Sequence, residues 1–467
     1  MQERNADVAI IGAGTAGMAA WQSAMVSTRK ILMIEAGEFG TTCARAACMP
    51  SKLLIAAATA ARDAAQASIF GIRIGSIEVD GAAVMDRVRR ERDRFVAGVL
   101  REVQGWPPEQ IIRGAARFVA PQTLQVDDHS LIHARSVVIA TGSRPIVPDA
   151  LREALGDRLI VSEQVFDWLT LPRAVAVLGT GPIGLEFAQA LAALGVRVSL
   201  FGREPRFGPL SDPALQAIAA KLIGEQLDLQ IHGEDPDYRR EGDEVVVRYR
   251  ARFGLVEEAR FDYLIAATGR KPALETLDLE AGGIEVDFDG NLPFQRETCQ
   301  IGNLPVFMAG DSDADDPLLH VANEDGRIAG SNAANFPQVQ RRTRQTPLAI
   351  VFSSPQMACI GRSHHELEQA GVDTVRGCVS FEDQGRARLA NTAEGALHVY
   401  AGRDDGKLLG AEMIGPAAEH LAHLLAWAIQ AGERLEDLLQ RPFYHPVYEE
   451  AVRTALSRAQ EARKQAV

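Results

Sequence analysis

Two cysteines, Cys43 and Cys48, lie in the segment Gly40-Thr41-Thr42-Cys43-Ala44-Arg45-Ala46-Ala47-Cys48-Met49-Pro50-Ser51-Lys52. A pair of thiols that closes and reopens a disulfide carries two electrons. The spacing sets a condition on that chemistry. On a regular helix, residues five apart have Cα atoms about 8.6 Å apart, whereas a disulfide needs roughly 4.4–6.8 Å. A bond here requires a distorted helical turn or a loop, and Pro50 is consistent with an irregular opening turn. Taken alone, the residues read equally well as two unpaired cysteines at a helix start. The thiolate is the reactive form, so a base or cation should stand near. Lys52 follows Cys48 by four residues and could pair with a carboxylate, with Glu186 as candidate. The alternative for Glu186 is a surface acid matched to a helix dipole.

A second group capable of proton transfer lies near the end of the chain, in Phe443-Tyr444-His445-Pro446-Val447-Tyr448-Glu449-Glu450. Pro446 suits the first position of a helix. That would put His445 at the helix entrance and Glu450 in its early turns, where the acid could fix the imidazole tautomer. A histidine before a proline is otherwise an ordinary capping or surface residue. Cys299, Cys359 and Cys378 are scattered and read as small residues without chemistry. An odd, sparse set of cysteines is not a secreted disulfide framework. No metal site is expected.

These groups need a scaffold, and the glycines supply it. Val8 to Ile11 reads as a buried strand, followed by Gly12-Ala13-Gly14-Thr15-Ala16-Gly17, a helix from Met18 to Met25, and a strand Ile31 to Ile34 ending at Glu35. This is the dinucleotide fingerprint in its required context. The glycines admit a pyrophosphate, the helix N-terminus favours its charge, and Glu35 can accept hydrogen bonds from a ribose. The pattern recurs: strand Ala174 to Leu178, turn Gly179-Thr180-Gly181-Pro182-Ile183-Gly184, a helix through Leu194, and strand Val196 to Phe201. After each unit a strand leaves through Ala-Thr-Gly into a turn stopped by proline. The first is Ala140-Thr141-Gly142 ahead of Pro145 and the second Ala267-Thr268-Gly269 ahead of Pro272. Two copies imply two dinucleotides, which fits a bound flavin and a diffusible nicotinamide. A strand from Val306 to Ala309 ends at Gly310-Asp311, and that acid can reach a ligand across the sheet edge. From about Pro347 the texture becomes strands and then helices without a glycine fingerprint, an α+β pattern. Strands are expected at 349–353, 396–401 and 408–414, helices at 417–431 and from Pro446 onward, and a frayed tail after Leu456.

The fold class expected is α/β: two Rossmann-like dinucleotide-binding domains followed by an α+β domain. Segments 1–150 and 275–345 form the first, 151–274 the second, and 346–467 the last. A length of 467 residues allows several domains, and 46% hydrophobic with 24% charged residues is an ordinary globular balance. A net charge of -13 speaks against a nucleic-acid partner. No apolar run is long enough for a membrane span, and the start shows no secretory pattern. The cytoplasm is the expected address.

Jointly, the GAGTAG turn with Glu35, TTCARAACMPSK, GTGPIGLE, the two ATG turns, AGD at 309–311 and HPVYEE resemble the class I pyridine nucleotide–disulfide oxidoreductases over nearly the whole length. Among these the chain looks most like the dihydrolipoamide dehydrogenase branch. The resemblance implies a homodimer held by the C-terminal domain, with FAD and either NAD or NADP. It implies that Cys43 exchanges with a small, lipoamide-like dithiol or disulfide and that Cys48 contacts the flavin. Lys52 and Glu186 would form an ion pair near the flavin. His445 and Glu450 would be the acid/base dyad serving the partner's disulfide, and Asp311 a ribityl ligand. Thr42, Thr141 and Gly142 would line the flavin site, and Gly269 the nicotinamide site. The segment 319–326 and Gly385-Arg386-Ala387-Arg388 favour the lipoamide branch. Three positions depart from the pattern: Gly40-Thr41 where a glycine pair is usual, Arg45 for asparagine, and Phe443 for a second histidine. The alternatives are an NADPH-dependent reductase of glutathione or another small disulfide, and a flavoprotein assembly subunit with vestigial catalysis.

The two glycine units permit an internal comparison. The position matching Glu35 is Gly202, followed by Arg203 and Arg206. A carboxylate repels a 2′-phosphate whereas arginine binds it bidentately, so the spacing predicts use of NADP(H). Glu204 is the competing selector.

Overall fold

The computed structural model describes all residues except 232, 234–235, 251–253, 287–291, 314–316 and 466–467. It divides into two compact units. One comprises Met1–Pro50, Asp86–Ile146 and Gly269–Gln345, the other Ser51–Met85, Val147–Thr268 and Thr346–Val467.

The first unit is built on a sheet whose parallel core runs Val306–Met308, Ser130–Ile139, Gln2–Ile11, Ile31–Glu35, Ile111–Arg113. Near-continuous apolar runs suit strands covered on both faces. The register aligns Ile11 with Ile34 and with Ile139, and Ile139 with Met308. The chain segments that follow these residues therefore emerge along one edge, at the carboxyl ends of the strands. They are the Gly12 turn, Glu35, the Thr141 turn and Asp311. Helix Thr15–Ala24 packs on helix Leu319–Asn335 through small residues. A Cβ on Gly326 would stand 2.2 Å from the Ala16 carbonyl oxygen, and one on Gly330 2.2 Å from that of Ala20.

The two expected proline-stopped turns are instead short strands. Ser143–Pro145 and Arg270–Pro272 pair antiparallel, and the Ile146 N–H donates to the Gly269 carbonyl at 2.9 Å.

In the second unit a parallel sheet runs Asp228–Ile231, Arg197–Gly202, Ala174–Leu178, Tyr263–Ala266, Leu159–Val161. It repeats the first sheet down to single hydrogen bonds. Gly12 N–H donates to Ile34 O at 2.8 Å and Gly179 N–H to Phe201 O at 2.8 Å. The same unit holds an antiparallel sheet in the order Leu348–Val351, Gln356–Gly361, Leu408–Gly415, Ala396–Gly402, Thr374–Ser380. Helices Ala418–Gln430 and Glu449–Gln465 close its apolar face.

Two expectations need correction. The last helix starts at Glu449 rather than Pro446, because the Glu450 side chain turns back to accept the Val447 N–H at 3.2 Å. It also runs to Gln465 instead of fraying after Leu456. Ala459 is fully buried, and a Cβ on Gly377 would lie 2.6 Å from its amide nitrogen, so strand and helix touch backbone to backbone. Arg463 then ties the end down, donating to Arg403 O at 2.8 Å and to Asp404 O at 2.6 Å.

The other face of that sheet is polar. Buried Asp212 caps helix Pro213–Gln226, accepting the Ala214 N–H at 2.9 Å. It also accepts from the Tyr400 hydroxyl at 3.0 Å and from Arg376 at 3.1 Å, and meets His398 Nδ1 at 2.7 Å. Burial opposes charging the His398 ring, but its hydrogen bonds to Asp212 and Cys378 outweigh that and raise it to about 9. The folded chain thus holds this proton more tightly than an unfolded one. The resulting stabilisation, on the order of 3 kcal/mol, is complete below pH ~6.5 and is lost as pH rises through about 9. Thermal melts from pH 6.5 to 10 should show a falling Tm, with the slope flattened in His398→Gln. A flat wild-type profile would contradict this.

Candidate active site

The first glycine turn forms one wall of a cleft of about 300 Å³, together with Glu35, Gly37, Thr41, Thr42, Arg45, Thr141 and Gly142. Each glycine has its own reason to lack a side chain. Gly12 takes φ +103°, and a Cβ there would meet Ala140 O at 2.3 Å. A Cβ on Gly17 would meet Gly12 O at 1.8 Å, while Gly14 has nothing within 4 Å. The outer two glycines let strand, turn and helix close up, and the middle one faces open space at the start of helix Thr15–Ala24. The second turn repeats the arrangement. Gly179 (φ +118°) faces Ala267 O at 2.2 Å, Gly184 faces Gly179 O at 1.9 Å, and Gly181 faces open space. Two helix N-termini thus present backbone N–H groups to room left for a phosphate.

The cleft is polar where a dinucleotide requires it. Glu35 accepts the Ala13 N–H at 2.6 Å and the Gly37 N–H at 2.7 Å, which holds its carboxylate at the end of its strand. The buried Thr141 hydroxyl has no hydrogen-bond partner among the described residues, so it fits a polar ligand atom. Asp311 accepts a hydrogen bond from the Ser143 hydroxyl at 2.8 Å, and Arg270 holds Ser143 through its hydroxyl and its carbonyl, both at 2.9 Å. Ser143 and Arg270 were not picked out from sequence, although each follows directly on an Ala-Thr-Gly turn. These residues fit FAD in the first unit and a nicotinamide dinucleotide at the second turn.

Cys43 lies in helix Thr42–Ala46 and Cys48 opens helix Cys48–Gln66. Between them Ala47 breaks the helix at φ -137°, ψ -98°. The regular-helix separation therefore does not govern the pair, and both cysteines are half-buried. Thr41, standing where the family pattern has a glycine, takes φ +53°, ψ 147°. Such a backbone costs about 1–3 kcal/mol for a residue with a Cβ. The Thr41 hydroxyl offsets part of this by capping the Ala44 N–H at 3.2 Å.

Further along the second helix, Lys52 Nζ lies 3.0 and 2.8 Å from the two Glu186 carboxylate oxygens. Glu186 also accepts the Phe352 N–H at 3.0 Å, and the Lys52 ammonium sits 4.8 Å from the centre of the Phe352 ring. Phe352 thus fixes both partners, a contact that no local sequence signal marks. His445 Nδ1 lies 2.9 and 3.1 Å from the Glu450 oxygens. The hydrogen bond to His445 holds the Glu450 carboxyl below its ordinary range. His445 itself is largely exposed, with its ring oriented by the acid.

The family model "Pyridine nucleotide-disulphide oxidoreductase" matches residues 6–326, and the model of that family's dimerisation domain matches residues 348–456. The chain belongs to this family. The dihydrolipoyl dehydrogenase of Haloferax volcanii is 31% identical, over 97% of this chain and 96% of that one. LpdA from Mycobacterium tuberculosis has the same fold, with a TM-score of 0.81 at 22% identity over the full length of both chains. The HOCl-induced flavoprotein disulfide reductase RclA from Escherichia coli superposes with a TM-score of 0.79 at 22% identity, over 97% of this chain and 99% of its own. As a pyridine nucleotide–disulphide oxidoreductase, the chain is an FAD-dependent enzyme that uses a nicotinamide dinucleotide and carries a dimerisation domain. No helix among the described residues is long and apolar enough to cross a membrane.

Where Glu35 ends its strand, the second unit has Gly202. A Cβ there would stand 2.8 Å from Ile231 Cδ1, its cross-strand partner, and 2.8 Å from Thr180 Cγ2. No side chain fits without displacing both. The Thr180 hydroxyl donates to Arg206 O at 2.6 Å, which folds the following loop back onto the glycine turn. Arg203 and Arg206 are exposed on that loop.

Proposed function

We propose that the chain works as a homodimer and moves electrons between NADP(H), FAD, the Cys43–Cys48 pair and a small dithiol or disulfide of the lipoamide type. The reading is carried by one observation above all: two cysteines placed across a helix break, directly after the strand that supplies the flavin cleft. In this reading segments 1–150 and 275–345 hold FAD, 151–274 the nicotinamide, and 346–467 the subunit contact. FAD supplies the switch between hydride and thiol chemistry. Gly12, Gly14 and Gly17 admit its pyrophosphate, Glu35 its ribose, and Thr42, Thr141, Gly142 and Asp311 the remainder. Lys52, held by Glu186, presents a positive charge near the flavin's reactive nitrogen. Gly179, Gly181, Gly184 and Gly269 line the nicotinamide site. Cys43 exchanges with substrate, Cys48 contacts the flavin, and His445, oriented by Glu450, takes and returns the thiol proton.

The walled Gly202 and the exposed Arg203 and Arg206 support NADP(H), because a guanidinium matches a 2′-phosphate. The same feature, with Phe443 in place of a second histidine, favours a second reading: an NADPH-dependent reductase of glutathione or another small disulfide. A panel of lipoamide, glutathione disulfide and small asymmetric disulfides, run with both nicotinamides, separates the two. We expect NADPH to be preferred, and Arg203→Ala to lower kcat/KM for NADPH about tenfold while sparing NADH. A strong NADH preference in the wild type would refute the assignment of the arginines. Anaerobic titration tests for vestigial catalysis: a working pair takes up electrons beyond those the flavin needs.

A further inference from the structure

The antiparallel register of the C-terminal sheet places Cys378 opposite His398, His398 opposite Glu412, and Glu412 opposite Cys359. Directly opposite side chains on one face of a sheet touch. His398 is 5% exposed, and its Nδ1 is 2.7 Å from Asp212. Asp212 is in turn fixed by Tyr400, Arg376 and the Ala214 N–H. The ring is therefore held between a carboxylate and a thiol, the order nucleophile, base, orienting acid.

We propose that Cys378 is a second reactive thiol, distinct from Cys43 and Cys48, built to be oxidised by small peroxides with His398 as its proton partner. Cys378 is half-buried. Arg376, two residues back on the same face, adds a positive charge beside it. On neighbouring positions of the sheet stand Tyr400, opposite Arg376, and Glu412, opposite His398, and Arg458 of the last helix donates to the Cys378 carbonyl at 2.5 Å. In the reaction with hydrogen peroxide the sulfur attacks one oxygen, the S–O bond forms and the O–O bond breaks. The departing hydroxide takes the proton held by His398 and leaves as water. Sulfur is oxidised by two electrons to the sulfenic acid, and the peroxide is reduced.

The chain carries its own controls. Cys299 is fully buried, and burial pushes its thiol up, out of reach of this chemistry. Cys359 is half-buried like Cys378, but its neighbour across the sheet is the Glu412 carboxylate.

The test uses the oxidised holoenzyme. A short iodoacetamide pulse is read by peptide mass spectrometry, and a sulfenic-acid trap is added after one equivalent of hydrogen peroxide. We expect Cys378 to be alkylated about tenfold faster than Cys359 and to carry the trap. His398→Gln should slow that alkylation about tenfold, and Cys378→Ser should leave disulfide reduction at the wild-type rate. Equal labelling of Cys378 and Cys359, or an unchanged rate in a folded His398→Gln protein, would overturn the proposal. If His398→Gln does not fold, Arg376→Gln at the half-exposed neighbour is read in its place: slower labelling supports the proposal and an unchanged rate overturns it.

Discussion

Cys48→Ser is expected to lose dithiol–disulfide turnover by about 10³-fold or more, as removal of a reacting atom does, while the purified protein stays yellow. The cleft of the first unit is lined by glycines, Glu35 and Thr141 among others, none of which depends on the sulfur. FAD should therefore bind, and nicotinamide-driven reduction of a flavin-directed dye should persist. Cys43→Ser should lose the same turnover for a different reason. Cys48 would remain to interact with the flavin, but substrate would have no sulfur to exchange with. The measurement is stopped-flow reduction followed at the flavin absorbance, alongside steady-state turnover. Either serine variant turning over within tenfold of the wild type would remove both cysteines from the mechanism.

The second large effect concerns stability. Glu412 is completely buried in strand Leu408–Gly415. Its two oxygens accept from Ser211 N at 2.6 Å, Ser211 Oγ at 2.6 Å, Asp212 N at 2.9 Å and His364 N at 2.8 Å. Glu412→Leu would leave the buried Asp212 N–H and the half-buried Ser211 and His364 N–H groups without this acceptor. At about 1–3 kcal/mol for a buried group and less where water reaches, the loss is on the order of 3 kcal/mol. Denaturant unfolding of the holoenzyme reads it directly, and a change below about 1 kcal/mol would mean the loop at 211 and 212 finds other partners.

Much of this molecule was readable because the informative residues act locally. The glycines of both turns, Glu35 and the apolar strands mark their roles within a few positions of the chain. What escaped notice depends on distant partners or on backbone angles. Nothing near Phe352 announces that its N–H anchors Glu186, 166 residues earlier in the chain. The break at Ala47 and the left-handed Thr41 are conformations that alanine and threonine rarely adopt, and composition does not foretell them. The start of the last helix was misplaced because Pro446 resembles a first helical residue, while the side chain of Glu450 occupies the N–H that sets the true boundary. Glu412 is an acid inside the apolar run Leu-Leu-Gly-Ala-Glu-Met-Ile-Gly, and nothing local tells which residues it serves.

The short ladder formed by Ser143–Pro145 and Arg270–Pro272 has a further consequence. The main chain departs from the first unit and rejoins it at two points one hydrogen bond apart, so the ladder there closes whatever sequence runs between its strands. Residues 147–268 therefore have abutting ends, although Ser211 and Asp212 also tie them to the C-terminal sheet through Glu412 and His398. A nucleotide module of different cofactor preference, grafted at those ends, would inherit the anchor that steadies Asp311 through Ser143 and Arg270, which lie in the ladder itself.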